Sequence, residues 1–242
     1  VNITDLHSKQ TADLSLISTN GVTITLSSST SLDASAKLPN PANESAVIIT
    51  GIGTNTLTLG STTNIQNNTD GLSISSGTTL SGSAAILTGE TVSGAGTVNI
   101  TALSGTTGAI LAGISATAVT IASASSLIFT GTLPIGTTNV INSTITITTT
   151  IDKLDGKTLS GSNASITITG ISGTNLNDMN LSLITTSGTN TITLTGNSTM
   201  NSSTKFFNAT TTIVSSVGSY NITLINTTNL QASQSVVINA NT

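Results

Sequence analysis

One kind of segment returns along this chain, a short run in which apolar residues alternate with Ser or Thr. Leu14-Ser15-Leu16-Ile17-Ser18-Thr19 is followed by Val22-Thr23-Ile24-Thr25-Leu26. Far downstream, Leu181-Ser182-Leu183-Ile184-Thr185-Thr186 is followed by Thr191-Ile192-Thr193-Leu194-Thr195. Ile48-Ile49-Thr50-Gly51 precedes Thr56-Leu57-Thr58-Leu59-Gly60, and Ser165-Ile166-Thr167-Ile168-Thr169-Gly170 belongs to the same set. A period of two places successive side chains on opposite faces, so these runs read as strands with one buried face, cut by Gly, Asn and Ser turns.

Self-similar phrases laid end to end indicate a repeat architecture. Strands are expected near 14–18, 22–27, 47–51, 56–60, 72–75, 84–88, 97–101, 117–121, 127–131, 144–151, 164–170, 181–185, 191–195, 210–214, 220–225 and 235–239. Turns are expected at Ser76-Gly77, Ser93-Gly94, Ser104-Gly105, Ser160-Gly161, Ser172-Gly173 and Ser187-Gly188. The fold expected is all-β, a parallel β-solenoid (β-helix) of short Thr/Ser/Asn/Gly-rich strands. Tandem β-sandwich domains are the alternative, because the repeat period is irregular. The chain reads as a single elongated solenoid over 1–242. A subdomain break near 152 is an option, since Ile151-Asp152-Lys153-Leu154-Asp155-Gly156-Lys157 is the densest charge cluster; a polar turn is the plainer reading. Leu38-Pro39-Asn40-Pro41-Ala42-Asn43-Glu44 reads as a loop or sheet edge, because Pro removes a ladder donor.

Composition narrows the class. Charged residues are 6% of the chain, against about 25% in ordinary soluble domains. There is no Arg, Lys occurs only at 9, 37, 153, 157 and 205, and no charge lies between Thr91 and Ile151. Disorder requires low hydrophobicity with high net charge, whereas here 36% of residues are hydrophobic and the net charge is -4. No apolar run approaches the ~20 residues of a membrane helix, so the chain is not expected to span a membrane. Five cations and a pI near 4.5 provide no phosphate-tracking surface, which argues against nucleic acid as a partner. Without Cys, stability must come from burial and sheet hydrogen bonds. Aromatics are 2%, so the interior must be built from Ile, Leu, Val, Ala and Thr methyls, which suits narrow stacked coils. The start at Val1, with no basic-plus-apolar leader, reads as a mature product or a fragment of something longer.

Catalysis on such a scaffold needs clustered carboxylates or a base with a cationic stabiliser. The acids Asp5, Asp13, Asp33, Glu44, Asp70, Glu90, Asp152, Asp155 and Asp178 are mostly isolated in sequence. Asp152 and Asp155 are flanked by Lys153 and Lys157, an ordinary surface ion-pair pattern. His7, the single histidine, has no Cys to share a zinc site with, the many Ser lack a nucleophile-elbow context, and His7 reads as a surface residue near a chain end. No catalytic residue and no organic cofactor is therefore expected, and a carbohydrate-active β-helix enzyme is a distant third reading. Calcium takes oxygen ligands from Asp, Asn and backbone carbonyls. Two turns concentrate such groups: Asn64-Ile65-Gln66-Asn67-Asn68-Thr69-Asp70 and Asn175-Leu176-Asn177-Asp178-Met179-Asn180. Asp178, Asn175 and Asn177 are the candidate ligands of a weak Ca²⁺ site; Asx-turn capping is the competing role. Asn-x-Ser/Thr acceptor patterns for glycosylation begin at Asn2, Asn43, Asn67, Asn99, Asn142, Asn163, Asn180, Asn197, Asn201, Asn208, Asn221 and Asn226. Thr-x-Thr steps at Thr23/Thr25, Thr56/Thr58, Thr146/Thr148, Thr167/Thr169 and Thr191/Thr193/Thr195 would form an ice-binding type of ladder if stacked on one flat face. The plainer reading makes Thr the default outward residue.

Lys153-Leu154-Asp155-Gly156-Lys157-Thr158-Leu159-Ser160-Gly161, and Asn180-Leu181-Ser182-Leu183-Ile184 leading to Thr193-Leu194-Thr195-Gly196-Asn197, resemble repeats of bacterial surface-layer (S-layer) proteins and large secreted repeat adhesins. Those proteins share the Arg-poor, Cys-free, Thr/Ser/Asn/Gly-rich texture found across nearly all of this chain. The resemblance implies an extracellular, cell-surface β-solenoid that assembles laterally with copies of itself into a lattice or filament, often with Ca²⁺. The Gly-Gly-x-Gly-x-Asp nonapeptide of calcium-binding β-rolls is absent. The functional expectation is a structural protein that forms or decorates a surface layer, with a cell-surface glycan as a further candidate partner. An adhesin stalk or ice-binding solenoid is the alternative.

Overall fold

The computed structural model describes the chain except residues 5–10, 42–45, 66–70, 104–107, 123–126, 135–137, 142–145, 175, 208–210, 216–217, 225–235 and 239–242. His7, the Gln66–Asp70 part of the first Asn/Asp cluster and the expected turn at Ser104-Gly105 lie outside the described residues. The chain divides into two compact units, Val1–Ala122 and Ser123–Thr242. Residue 152 falls inside the second unit, in a 3-10 turn at Ile151–Lys153.

The first unit contains β1 (Asn2–Thr4), β2 (Thr23–Leu26), β3 (Thr30–Ser31), β4 (Val47–Gly51), β5 (Asn55–Thr58), β6 (Leu72–Ile74), β7 (Thr78–Gly82), β8 (Val92–Ser93), β9 (Thr97–Ile100) and β10 (Ala118–Ile121). One sheet has the order β1-β2-β4-β6-β8, and a second runs β3-β5-β7-β9-β10. The second unit contains β11 (Leu127–Ile128), β12 (Thr138–Ile141), β13 (Thr146–Thr149), β14 (Thr158–Gly161), β15 (Ser165–Gly173), β16 (Ile184–Thr186), β17 (Asn190–Met200), β18 (Thr211–Ser215), β19 (Ile222–Leu224) and β20 (Val236–Ile238). There β12-β14-β16 form one ladder and β11-β13-β15-β17-β18-β20 another, with β19 also on β17.

These pairings are parallel, and most join a strand not to its neighbour in sequence but to the equivalent strand one coil later. That is the β-solenoid expected from the repeats. The coil length varies: Asn99 reaches Ser81 across 18 residues, whereas Thr56 reaches Ser29 across 27. The irregular period thus reflects corners of different length, together with register shifts between Ile168 and Gly173 where β15 pairs with β17.

The core consists of apolar columns running from coil to coil. Ile24, Ile49 and Ile74 stack in register, as do Leu57, Leu80, Val98 and Val119, all fully buried. In the second unit Ile168, Ile192 and Ile213 do the same. Each such side chain buries most of its surface, contributing about 1.5–3 kcal/mol apiece. β-branched residues suit this pleated geometry because their χ1 is already restricted.

Several expected strands are corrected. Leu14–Ile17 is a turn closed by Ile17 N–H to Leu14 O (3.0 Å), and Leu181–Leu183 is a turn closed by Ile184 N–H to Leu181 O (3.1 Å), so of the second expected strand only Ile184 and Thr185 are strand, at the start of β16. The side chain of the preceding Asp13 or Asn180 accepts from Ser15 N–H (3.0 Å) or Ser182 N–H (3.1 Å) and from the same Ser hydroxyl. An Asx turn therefore overrides the period-2 pattern. The expected strand at 84–88 is a single helical turn, Ala84–Leu87, capped by the Ser83 hydroxyl on Ile86 N–H. Ser160-Gly161 and Ser172-Gly173, expected as turns, lie within strands β14 and β15.

Gly94 shows what the corners demand. Its φ is +107°, and a Cβ there would stand 2.3 Å from the Ile74 carbonyl oxygen of the preceding coil. Only Gly allows both the backbone angle and the approach.

Candidate functional site: corner staples and hydroxyl ladders

The recurring Leu-Ser-Leu-Ile phrase builds the same corner in both units. Asp13 bridges to Lys37, and Asn180 to Lys205, each in the next coil. Leu14 N–H donates to Lys37 O and Leu181 N–H to Lys205 O, both at 2.9 Å. At the first corner the Lys37 ammonium also reaches the Asp13 carboxylate at 3.0 Å. The Ser15 hydroxyl, then Lys37, then Ser15 N–H hold the Asp13 carboxyl down to about 2, from an ordinary 3.8.

The candidate calcium ligands occupy the corner just before Asn180. Asp178 has φ +62°, in the left-handed region that Asp tolerates in turns. Its N–H donates to Asn201 Oδ1 (3.1 Å), and its Oδ1 accepts from Asn201 Nδ2 (2.8 Å). Asn177 Oδ1 accepts from Asn201 N–H at 3.1 Å. Asn201 Oδ1 further accepts from Ser203 N–H, Thr204 N–H and the Thr204 hydroxyl. Asn177 and Asp178 are thus joined by one residue of the next coil, and Asn175 lies outside the described residues. The Asn201 amide N–H groups point at the oxygens a cation would need. The arrangement is a hydrogen-bonded staple between coils, in which Asp178 is the single carboxylate. Sequence reasoning noted Asn201 only as a glycosylation pattern; its partner lies 23 residues back.

Asn64 does the same work inside the first unit. Its Oδ1 accepts from Gly60 N–H (2.8 Å) and Ser61 N–H (3.0 Å), and its Nδ2 donates to Asp33 O (2.8 Å) and Ala36 O (2.7 Å). The side chain is 1% exposed with its hydrogen-bonding capacity filled.

The charges elsewhere are dispersed. Asp152 pairs with its neighbour Lys153 at 3.2 Å, and a Thr150 hydrogen bond heads the causes that lower its pKa. Asp155 accepts from Asn180 N–H of the next coil at 2.8 Å. Burial pushes the Glu90 carboxyl up and the Lys157 ammonium down.

Between the corners the outward faces are hydroxylated. In the first unit Thr56, Thr79 and Thr97 stack in one rank, and Ser31, Thr58, Ser81, Asn99 and Thr120 in the next. The second rank is partly zipped, with the Thr120 hydroxyl donating to Asn99 Oδ1 at 2.8 Å. In the second unit Thr148, Thr167, Thr191 and Thr212 stand in register. One Thr of each Thr-x-Thr step thus stands against another Thr, in separate ladders on different sheets, while Thr23 meets Ile48, Thr146 meets Ser165 and Thr193 meets Val214. No Asp, Glu, Lys or Arg lies in any strand from β1 to β20. Among the described residues no helix is long and apolar enough to cross a membrane. No protein-family model, no curated protein and no solved structure matches this chain.

Proposed function

We propose that this protein is a structural, extracellular β-solenoid that associates laterally with copies of itself in a bacterial surface layer. The observation that supports the reading is the absence of Asp, Glu, Lys and Arg from the strands β1 to β20. Broad strand faces made of Thr, Ser and Asn carry no net field to hold copies apart. They can pair through shape and hydroxyl contacts. Such association should depend weakly on salt. A surface glycan fits the same faces as an additional partner, through its own hydroxyls. Electron microscopy of the purified protein at high concentration, with and without millimolar Ca²⁺, tests the reading. Sheets or filaments are expected; monodisperse single particles under every condition would refute it.

The stacked Thr residues favour a second reading, an ice-binding face, because the rank Thr148, Thr167, Thr191 and Thr212 presents hydroxyls and methyls at regular intervals of about 4.8 Å across strands. Inhibition of ice recrystallisation by the unassembled protein would select it.

A further inference from the structure

We propose that the outward face of β13-β15-β17-β18 is the surface on which two copies of this chain meet, face to face. The inference rests on the lateral-assembly reading and names its contact.

Thr148, Thr167, Thr191 and Thr212 occupy equivalent positions on consecutive strands, and Ile128 on β11 heads the same rank. Every member is β-branched. The Thr residues are half-buried and Ile128 is 63% exposed. The strand neighbours Ile147, Ile166, Ile168, Ile192 and Ile213 point inward and are buried, which fixes the rank on the outside. None of the four Thr hydroxyls has a hydrogen-bond partner among the described residues.

Three properties favour an identical face as the occupant. A hydroxyl both donates and accepts, so a Thr rank is complementary to another Thr rank. β-branched side chains have little rotamer freedom to lose on docking. Equal ranks of short side chains interdigitate as they do between sheets of like strands. A charged partner would instead have its charges desolvated against a face with none to offer.

Magnitude decides how the contact behaves. Four strands 4.8 Å apart and about four residues long present roughly 250 Å² per copy. A stable pair needs about 800 Å² per partner. A single contact is therefore weak, and many such contacts in an array are required for firm association. Detection should trap the encounter.

The absence of Cys makes that direct, since any introduced thiol is unique. Thr167→Cys and Thr191→Cys, made separately, flank the middle of the rank. Leu16→Cys in the first unit, at a position 91% exposed, reports random collision. Under mild oxidation at least one face variant is expected to form covalent dimer about tenfold faster than Leu16→Cys, as a raised local thiol concentration requires. Adding Thr148→Lys should remove the excess while circular dichroism stays unchanged. Rates at or below that of Leu16→Cys in both variants overturn the proposed face. If electron microscopy still shows sheets, assembly stands and uses another surface; if particles stay single, both readings fall. Ice recrystallisation inhibition that Thr167→Lys abolishes, with no excess dimer, overturns the face in favour of ordered water.

Discussion

At the scale of the residue, Asp13 shows how a corner couples to pH. Its carboxyl is held at about 2 by Ser15 and Lys37, so the folded state favours the ionised form. A depressed carboxyl contributes stability above its unfolded value, and that contribution disappears as pH falls through the folded one. The window here lies between about 4 and 2. Carbon-detected NMR should place the Asp13 titration near 2, and Ser15→Ala and Lys37→Ala should each move it back toward 3.8. A midpoint already near the ordinary value would remove the hydrogen bonds from this corner. Because the Asp13–Lys37 pair is solvent-exposed, the effect on overall stability should be slight.

Asx chemistry also explains what sequence reading missed. Leu-Ser-Leu-Ile alternates as a strand should, yet Asp13 and Asn180 stand two residues before a Ser whose N–H and hydroxyl they accept. The residue at that position, rather than the alternation, decides between strand and turn. The fold class was legible because period-2 hydroxyl patterning and the absence of charge both point to stacked strands. The staples were not, because Asn201 completes a cluster 23 residues away, a separation set by the coil and not by local spacing.

At the scale of the element, the corner holding Asn177, Asp178 and Asn201 should behave as a mechanical fastening. Asn201→Ala removes the acceptor shared by Asp178 N–H, Ser203 N–H and Thr204 N–H, along with the donor to Asp178. The site is partly solvated, so water replaces some of these bonds and the expected loss is about 1–2 kcal/mol by denaturant titration. A loss below about 0.3 kcal/mol would leave the staple without energetic weight. Calcium discriminates the competing role. With a single carboxylate whose Oδ1 is already bonded to an amide, millimolar Ca²⁺ should leave thermal unfolding of the isolated chain unchanged. A rise abolished by Asp178→Ala would instead establish a weak site, of the order of 10⁻⁴–10⁻³ M as in extracellular modules.

At the scale of the whole molecule, the registers define what counts as a removable unit. Leu72 faces Val92, and Thr79 faces Thr97, so residues 72–91 form one complete coil. Deleting them brings Val92 opposite Val47 and Thr97 opposite Thr56, with every inward column still apolar. This shortened chain should fold cooperatively, with a midpoint lowered by only a few degrees, since one nearest-neighbour interface is lost. Deleting 72–82 alone removes β6 and β7 but keeps the corner that follows, so the next strands meet no partner in register; that chain should fail to give a cooperative transition. Equal behaviour of the two deletions would show that the coil is not the unit of stability.

Pairing one coil onward has a kinetic consequence. Every strand finds its partner within about one coil of chain, so a strand can dock as soon as its predecessor is in place. No segment must wait for the far end of the polypeptide. The corners contribute to this order: each Leu14- or Leu181-type turn aims the following strand before that strand has any neighbour ahead of it. A chain of this kind can acquire structure progressively from one coil to the next, each new coil locking onto the last and leaving only the growing end open.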